Sequence, residues 1–455
     1  MNKMIHYVLI FSVIIIMGVT LFWLKSTPNI FVTPEHPLID EPVEILISKL
    51  PANQQIIIEA SCKDKDNNAW TSRATFQTDD KGVVNVAKQA PISGSYSGID
   101  PMGLIWSIAP ADTEVLKRTG VLNTQEISIS VFLKDKLLTQ KIIHRLPVAS
   151  NVEKKEIREN GIVGTLFYPK GIKNGPGVIV VGGSGGRIPE DFAQLLASHG
   201  YAVLALGFFR VEGLPKKLEN IPLEYFENAF HWFKQQPEVD KNRVAICGRS
   251  RGGELVLLLA ATFPEQMQAV IAYVPSGIVW AGLSDGSKPA WTYKGQPIPF
   301  IKRPLDEEML EAAKQGLIPD NKGTFEDPEE NTSKFLYLMK KFSKDVEAAT
   351  IPVEKIICPV LLISGEDDKM WPSTLFSNMI MERLDKKKST IVRNHLQFPN
   401  AGHGVQNPYG PTPGRPYYHQ VAGAWMTVGG TAQGNSSADK LAWEGVLSFL
   451  NETLK

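Results

Sequence analysis

Residues 243–262 read R-V-A-I-C-G-R-S-R-G-G-E-L-V-L-L-L-A-A-T, a short apolar run, a serine among glycines and arginines, and then a longer apolar run. A short continuous apolar segment suits a strand buried on both faces, and the longer one suits a buried helix. The serine therefore falls on a strand-to-helix turn. Gly248, Ser250 and Gly252 form G-x-S-x-G at that turn. The pattern belongs in this setting because the turn exposes the serine oxygen in strained dihedrals, where a side chain at either small position would clash. A parallel sheet with helices on both faces is the architecture that supplies such a turn.

The surrounding sequence repeats the alternation. G-V-I-V-V-G-G (177–183), Y-A-V-L-A-L (201–206), A-V-I-A-Y-V (269–274), V-L-L-I-S-G (360–365) and S-T-I-V-R-N (389–394) read as strands. D-F-A-Q-L-L-A-S-H-G (191–200), L-E-Y-F-E-N-A-F-H-W-F-K-Q-Q (223–236) and E-L-V-L-L-L-A-A (254–261) read as helices. The fold class expected over residues 149–455 is a doubly wound, mostly parallel α/β hydrolase. Residues 279–351, rich in Pro, Lys and Glu, interrupt the strand order. They are expected to form a cap or lid insertion over the carboxyl edge, with a disordered surface excursion as the other reading.

Residues 28–148 have a different texture. P-V-E-I-L-I-S, Q-I-I-I-E-A-S-C, R-A-T-F-Q-T, G-V-V-N-V-A and E-I-S-I-S-V-F-L are short β-branched runs separated by turn residues. They are expected to form an all-β, immunoglobulin-like sandwich without catalytic residues. Ahead of it, Met4 to Leu24 contains no acid, Lys or Arg, and about 20 apolar residues suffice to cross a bilayer. Residues 1–27 are accordingly expected to be an N-terminal membrane anchor, with a cleaved signal segment as the alternative. The catalytic body would then be extracytoplasmic, or secreted after cleavage.

Forty-eight Lys and Arg balance 48 Asp and Glu, so nucleic acid is not an expected partner. Cys62, Cys247 and Cys358 are too far apart for a zinc site or a disulfide framework, and read as buried thiols. No metal or organic cofactor is implied. The sequence sets no oligomeric state.

A serine nucleophile needs an imidazole to take its proton and a carboxylate to hold the imidazole, in chain order Ser, acid, His for this fold class. After V-L-L-I-S-G come Glu366, Asp367 and Asp368. Asp368, three residues past Gly365, is the preferred acid, with Asp367 as the fallback. His395, His403 and His419 follow; His403 is chosen because F-P-N-A-G-H-G flanks it with glycines. The oxyanion hole is expected from the backbone N–H groups of Arg251 and of Ser184 or a close neighbour in G-G-S-G-G (182–186). That glycine loop lacks the Lys-Ser/Thr ending of a P-loop and the spacing of a dinucleotide fingerprint. Arg249 and Arg251 are expected to be exposed and solvated, or paired with an acid such as Glu254. Contact with an anionic part of the substrate is the other reading.

With these residues placed, the sequence resembles the acyl-CoA thioesterase and bile acid-CoA:amino acid N-acyltransferase family. The resemblance is carried by D-E-P-V-E-I (40–45), G-S-Y-S-G-I-D-P-M-G-L-I-W (94–106), L-P-K-K-L-E-N-I-P-L-E-Y-F-E-N-A (214–229), G-R-S-R-G-G-E-L (248–255), I-P-V-E-K-I (351–356) and A-G-H (401–403). It implies the triad Ser250, Asp368 and His403. It also implies a small-molecule acyl thioester substrate, most directly acyl-CoA cleaved to free fatty acid and CoA. Members that conjugate amino acids tend to carry cysteine as nucleophile, so serine favours water as the acceptor. The rival readings are an extracytoplasmic carboxylesterase of the same mechanism and an acyl-CoA:amino acid N-acyltransferase. A binding module with a vestigial hydrolase half would leave a complete triad unexplained.

Overall fold

The computed structural model describes residues 27–455 apart from 111, 113, 116–121, 285, 407, 413 and 415. In the front part, antiparallel sheets share one core. Strands Asn29–Thr33, Glu44–Ser48 and Val84–Asn85 form a small sheet, and Ala69–Gln77, Gln55–Asp64, Leu122–Leu133 and Lys136–His144 lie side by side in a larger one. Along Gln55–Asp64 every second residue is buried, the period of a strand with one face on a core. Ile45 and Ile47 from the small sheet meet Ile56, Ile58, Trp70 and Phe76 from the large one.

The second part is built on eight strands, β1 Val152–Glu159, β2 Ile162–Pro169, β3 Gly175–Val181, β4 Ala202–Leu206, β5 Val239–Arg249, β6 Ala269–Tyr273, β7 Val360–Gly365 and β8 Arg393–Phe398. Their order is β1-β2-β4-β3-β5-β6-β7-β8. β2 pairs antiparallel with both β1 and β4, and the remaining neighbours pair parallel. Alternate residues of one strand enter opposite layers. Ile179 and Val181 pack with helices α2 (Leu223–Phe233), α3 (Arg251–Thr262) and α4 (Ser373–Lys386). Val178 and Val180 pack with α1 (Glu190–Ser198) and with the final helix, α5 (Ala432–Leu454). Burial on both faces is why these strands carry unbroken apolar runs. The strand order, with the serine turn after β5, is that of an α/β hydrolase.

The stretch from 279 to 351 is folded onto the carboxyl edge of this sheet. It holds helices Asp306–Lys314, Thr332–Lys341 and Ser343–Ala349, and Trp280, Ile301 and Leu338 share a core with Trp371 and Phe376. The two parts of the molecule also meet. Asp40 Oδ2 bonds His199 Nε2 at 2.5 Å and accepts from Trp443 Nε1 at 2.9 Å, while Arg145 Nη1 donates to the Tyr409 carbonyl at 3.2 Å.

One expectation is corrected. No helix among the described residues is long and apolar enough to cross a membrane. The proposed segment, residues 4–24, lies outside the described residues. An apolar run alone does not establish a spanning helix, so the assignment to a membrane with an extracytoplasmic body is withdrawn.

Candidate active site

Ser250 sits between β5 and α3 with φ 58° and ψ −122°, a strained conformation for a residue with a side chain. Two glycines make the turn possible. A Cβ on Gly248 would lie 2.2 Å from the Gly252 carbonyl oxygen, and one on Gly252 would lie 2.3 Å from the Gly182 carbonyl oxygen. Both obstacles are backbone, so nothing flexible can yield.

The loop after β7 brings Asp368 to the same edge, and the loop after β8 brings His403. His403 Nε2 is 2.9 Å from Ser250 Oγ, and its Nδ1 is 2.8 Å from Asp368 Oδ2. The three groups therefore form one continuous hydrogen-bonded line across 153 and 35 residues of sequence separation. Asp368 is held on every side. Its Oδ1 accepts from the Met370 and Trp371 N–H groups at 2.9 and 3.2 Å, and its Oδ2 also accepts from Ser373 Oγ at 2.6 Å. Such a line can take a proton from a hydroxyl onto an imidazole while the carboxylate fixes the ring. The neighbouring acids face elsewhere. Asp367 accepts from the Gly430 N–H and pairs with Lys369, and Glu366 accepts from Gln397. His395 bonds Ser364 within the sheet edge.

Arg251 is the first residue of α3, so its N–H has no partner in a preceding helical turn. Ser184 lies in the loop after β3. Gly183, Ser184, Ser250, Met370, His403 and Tyr417 line one cavity of about 460 Å³. His419 lines it too, bonded to Ser184; sequence spacing set it aside, because Y-Y-H-Q has none of the glycines that flank His403.

The two arginines beside the serine are not exposed as expected, although Arg251 does pair with Glu254, the acid the sequence pointed to. Arg251 is buried and donates to Glu254 Oε2 at 2.8 Å and to the Trp280 and Ala281 carbonyls at 3.0 and 3.2 Å. Arg249 donates to Gln406 Oε1 at 2.5 Å and to the His403 carbonyl at 2.7 Å, so it braces the loop that carries the imidazole. Acceptors at the Nη atoms replace water for both guanidinium groups, while Arg249 Nε and Arg251 Nε are buried without a hydrogen-bond partner.

Behind that brace Asp439 is buried on α5 and accepts from the Gln406 N–H at 2.7 Å. Burial pushes its carboxyl up to about 8, against the pull of the Gln406 N–H and Arg249. An unfolded Asp titrates near about 4. The folded chain thus retains a proton that the unfolded chain releases between these values, and stability falls as pH rises from about 4 to about 8. Asp439→Asn keeps the acceptor and removes the titration. The variant is expected to melt with the parent at about pH 4, and roughly 2 °C or more above it at about pH 8. Parallel melting curves across that range, with no divergence, would refute the assignment.

A family model described as the BAAT / acyl-CoA thioester hydrolase C terminal matches residues 221–455, and one described as the acyl-CoA thioester hydrolase/BAAT N-terminal region matches residues 40–159. Acyl-coenzyme A amino acid N-acyltransferase 1 of Mus musculus is 30% identical, covering 94% of this chain and 98% of its own. Acyl-coenzyme A thioesterase 1 of Rattus norvegicus is 30% identical over 91% and 94% of the two chains. Bile acid-CoA:amino acid N-acyltransferase of Mus musculus is 29% identical over 92% and 96%. Matched by both models in chain order and by relatives along nearly its whole length, this chain belongs to the acyl-CoA thioester hydrolase/BAAT family.

Proposed function

We propose that this chain is a serine hydrolase that cleaves acyl thioesters, with acyl-CoA as the substrate class. The observation that carries the reading is the line from Asp368 through His403 to Ser250. In this mechanism Ser250 Oγ attacks the acyl carbonyl while His403 Nε2 takes its proton. The carbonyl oxygen gathers negative charge beside the backbone N–H groups of Arg251 and Ser184. The C–S bond then breaks, and the proton on His403 Nε2 leaves with the departing thiol or passes to solvent, which restores the neutral imidazole and leaves the acyl group on Ser250. Water attacks that ester as His403 takes its proton; the Ser250–acyl bond breaks, the proton returns to Oγ, and free acid departs. Asp368 holds the imidazole in the tautomer with hydrogen on Nδ1.

The names of the relatives support both hydrolysis and transfer to an amine. A serine ester, less reactive toward amines than a thioester, favours water. The test incubates the purified chain with acyl-CoA of graded chain length, with and without free glycine and other amino acids. Thiol release is followed and products are weighed by mass spectrometry. Equal amounts of free acid and CoA, unchanged by amino acids, are expected. N-acyl amino acid as the main product would overturn hydrolysis in favour of transfer, and turnover of oxygen esters alone would overturn the thioester assignment.

A further inference from the structure

The cavity contains a second serine and histidine pair that the mechanism above leaves without a side-chain role. Ser184 Oγ is 2.7 Å from His419 Nε2, and His419 is buried, with 4% of its surface exposed. A serine and imidazole at this distance resemble a second nucleophile and base, but the other ring nitrogen excludes that. His419 Nδ1 accepts the Ala422 N–H at 3.1 Å, so in the neutral ring the hydrogen belongs on Nε2. Burial, with the neighbouring His403 and Arg210, disfavours a charged ring. His419 Nε2–H therefore donates to Ser184 Oγ, which occupies a serine lone pair and leaves the hydroxyl hydrogen to be used elsewhere. Among the described residues Ser184 Oγ has no second hydrogen-bond partner.

Its position decides where that hydrogen can go. Ser184 follows Gly183, where a Cβ would lie 3.3 Å from Ser250 Cβ and 3.8 Å from Ser250 Oγ. The loop thus passes directly over the candidate nucleophile, and both serines line the cavity. We propose that the Ser184 hydroxyl, polarised and aimed by His419, is an additional donor to the oxygen of the reacting thioester carbonyl. Ser184 is then a catalytic residue through its side chain, and His419 is a positioning residue. No proton is transferred in this step. The hydroxyl hydrogen bond shortens as charge builds on the oxygen, and relaxes when the C–S bond breaks. The inference rests on the serine hydrolase reading above.

The test measures acyl-CoA hydrolysis by Ser184→Ala, Ser184→Thr, His419→Phe, His419→Gln and the double variant Ser184→Ala/His419→Phe, with Ser250→Ala alongside. Removing a single oxyanion donor costs about 100-fold or more in kcat elsewhere; here, with backbone donors remaining, Ser184→Ala is expected to lower kcat about 10- to 100-fold and to leave KM within about twofold. Ser184→Thr retains the hydroxyl and most of the activity. His419→Phe falls as Ser184→Ala does, the double variant falls no further, and His419→Gln recovers part of the loss through its amide N–H. An alkyl trifluoromethyl ketone, which forms a tetrahedral adduct on a serine, should bind Ser184→Ala more weakly by the same factor as kcat falls. Unchanged ketone affinity in a slowed Ser184→Ala would mean a structural role and overturn the proposal. So would full kcat in Ser184→Ala while Ser250→Ala is inactive. Turnover that persists in Ser250→Ala would instead overturn the underlying hydrolase reading.

Discussion

Ser250→Ala is expected to lower acyl-CoA turnover by about 10⁴-fold or more while leaving the melting temperature close to that of the parent. Triad members act as a unit, so removing one removes most of what the three achieve. His403→Ala should fall about as far, and the double variant Ser250→Ala/His403→Ala no further. Asp368→Asn is the more discriminating substitution. Asp368 Oδ2 faces His403 Nδ1 at 2.8 Å and also accepts from Ser373, while Oδ1 accepts from two backbone N–H groups. An asparagine amide must present a donor somewhere in this ring of donors. Turned toward His403 it forces the hydrogen onto Nε2, the nitrogen that should receive the Ser250 proton. A loss of about 10⁴-fold with the fold intact is expected. Initial rates of thiol release, with mass spectrometry after an organophosphonate, separate the cases: Ser250→Ala gains no label, whereas Asp368→Asn gains it slowly. Labelling of Ser250→Ala at the parent's rate would remove Ser250 from the mechanism.

How much of this was legible in the sequence depends on how locally each feature is determined. Val360–Gly365 was readable because all six residues are buried and Val360 to Ile363 form an unbroken apolar run. The edge strands were not. In β1, V-E-K-K-E-I-R-E, Ile157 alone is buried, so charged side chains in solvent hide the strand. β8 was expected at 389–394 and is found at Arg393–Phe398, since it pairs with β7 alone and its partly exposed residues leave a weak pattern. Ser250, Asp368 and His403, which the structure brings into one hydrogen-bonded line, could be singled out because each sits beside glycines or a strand end. The Ser184 contact with His419 spans 235 positions and has no local signature. Nor could the burial of Arg251 be read, because the carbonyls that satisfy it come from Trp280 and Ala281, in a stretch whose packing over α3 no short-range pattern predicts.

That buried arginine leads to the largest expected effect on stability. Glu254 is fully buried; its Oε2 accepts from Arg251 Nη1 and its Oε1 from Trp291 Nε1, each at 2.8 Å. Burial pushes the carboxyl up, while Arg251 and Trp291 pull it back. Glu254→Ala leaves a guanidinium in the core with no counter-charge and an indole N–H with no acceptor. Breaking a buried pair from one side costs about 3–5 kcal/mol, and urea unfolding should show a loss of that size. The double variant Arg251→Met/Glu254→Leu removes both charges and should recover part of it, although the Trp280 and Ala281 carbonyls then lose their donor. Function should follow the same strut. The pair joins the helix that begins beside Ser250 to Trp280 and Trp291, at the root of the stretch folded onto the carboxyl edge of the sheet, so Glu254→Ala should also raise KM before it lowers kcat. A loss below about 1 kcal/mol would mean that water enters and replaces the carboxylate, and the strut would then have no hold on the stretch folded over the sheet edge.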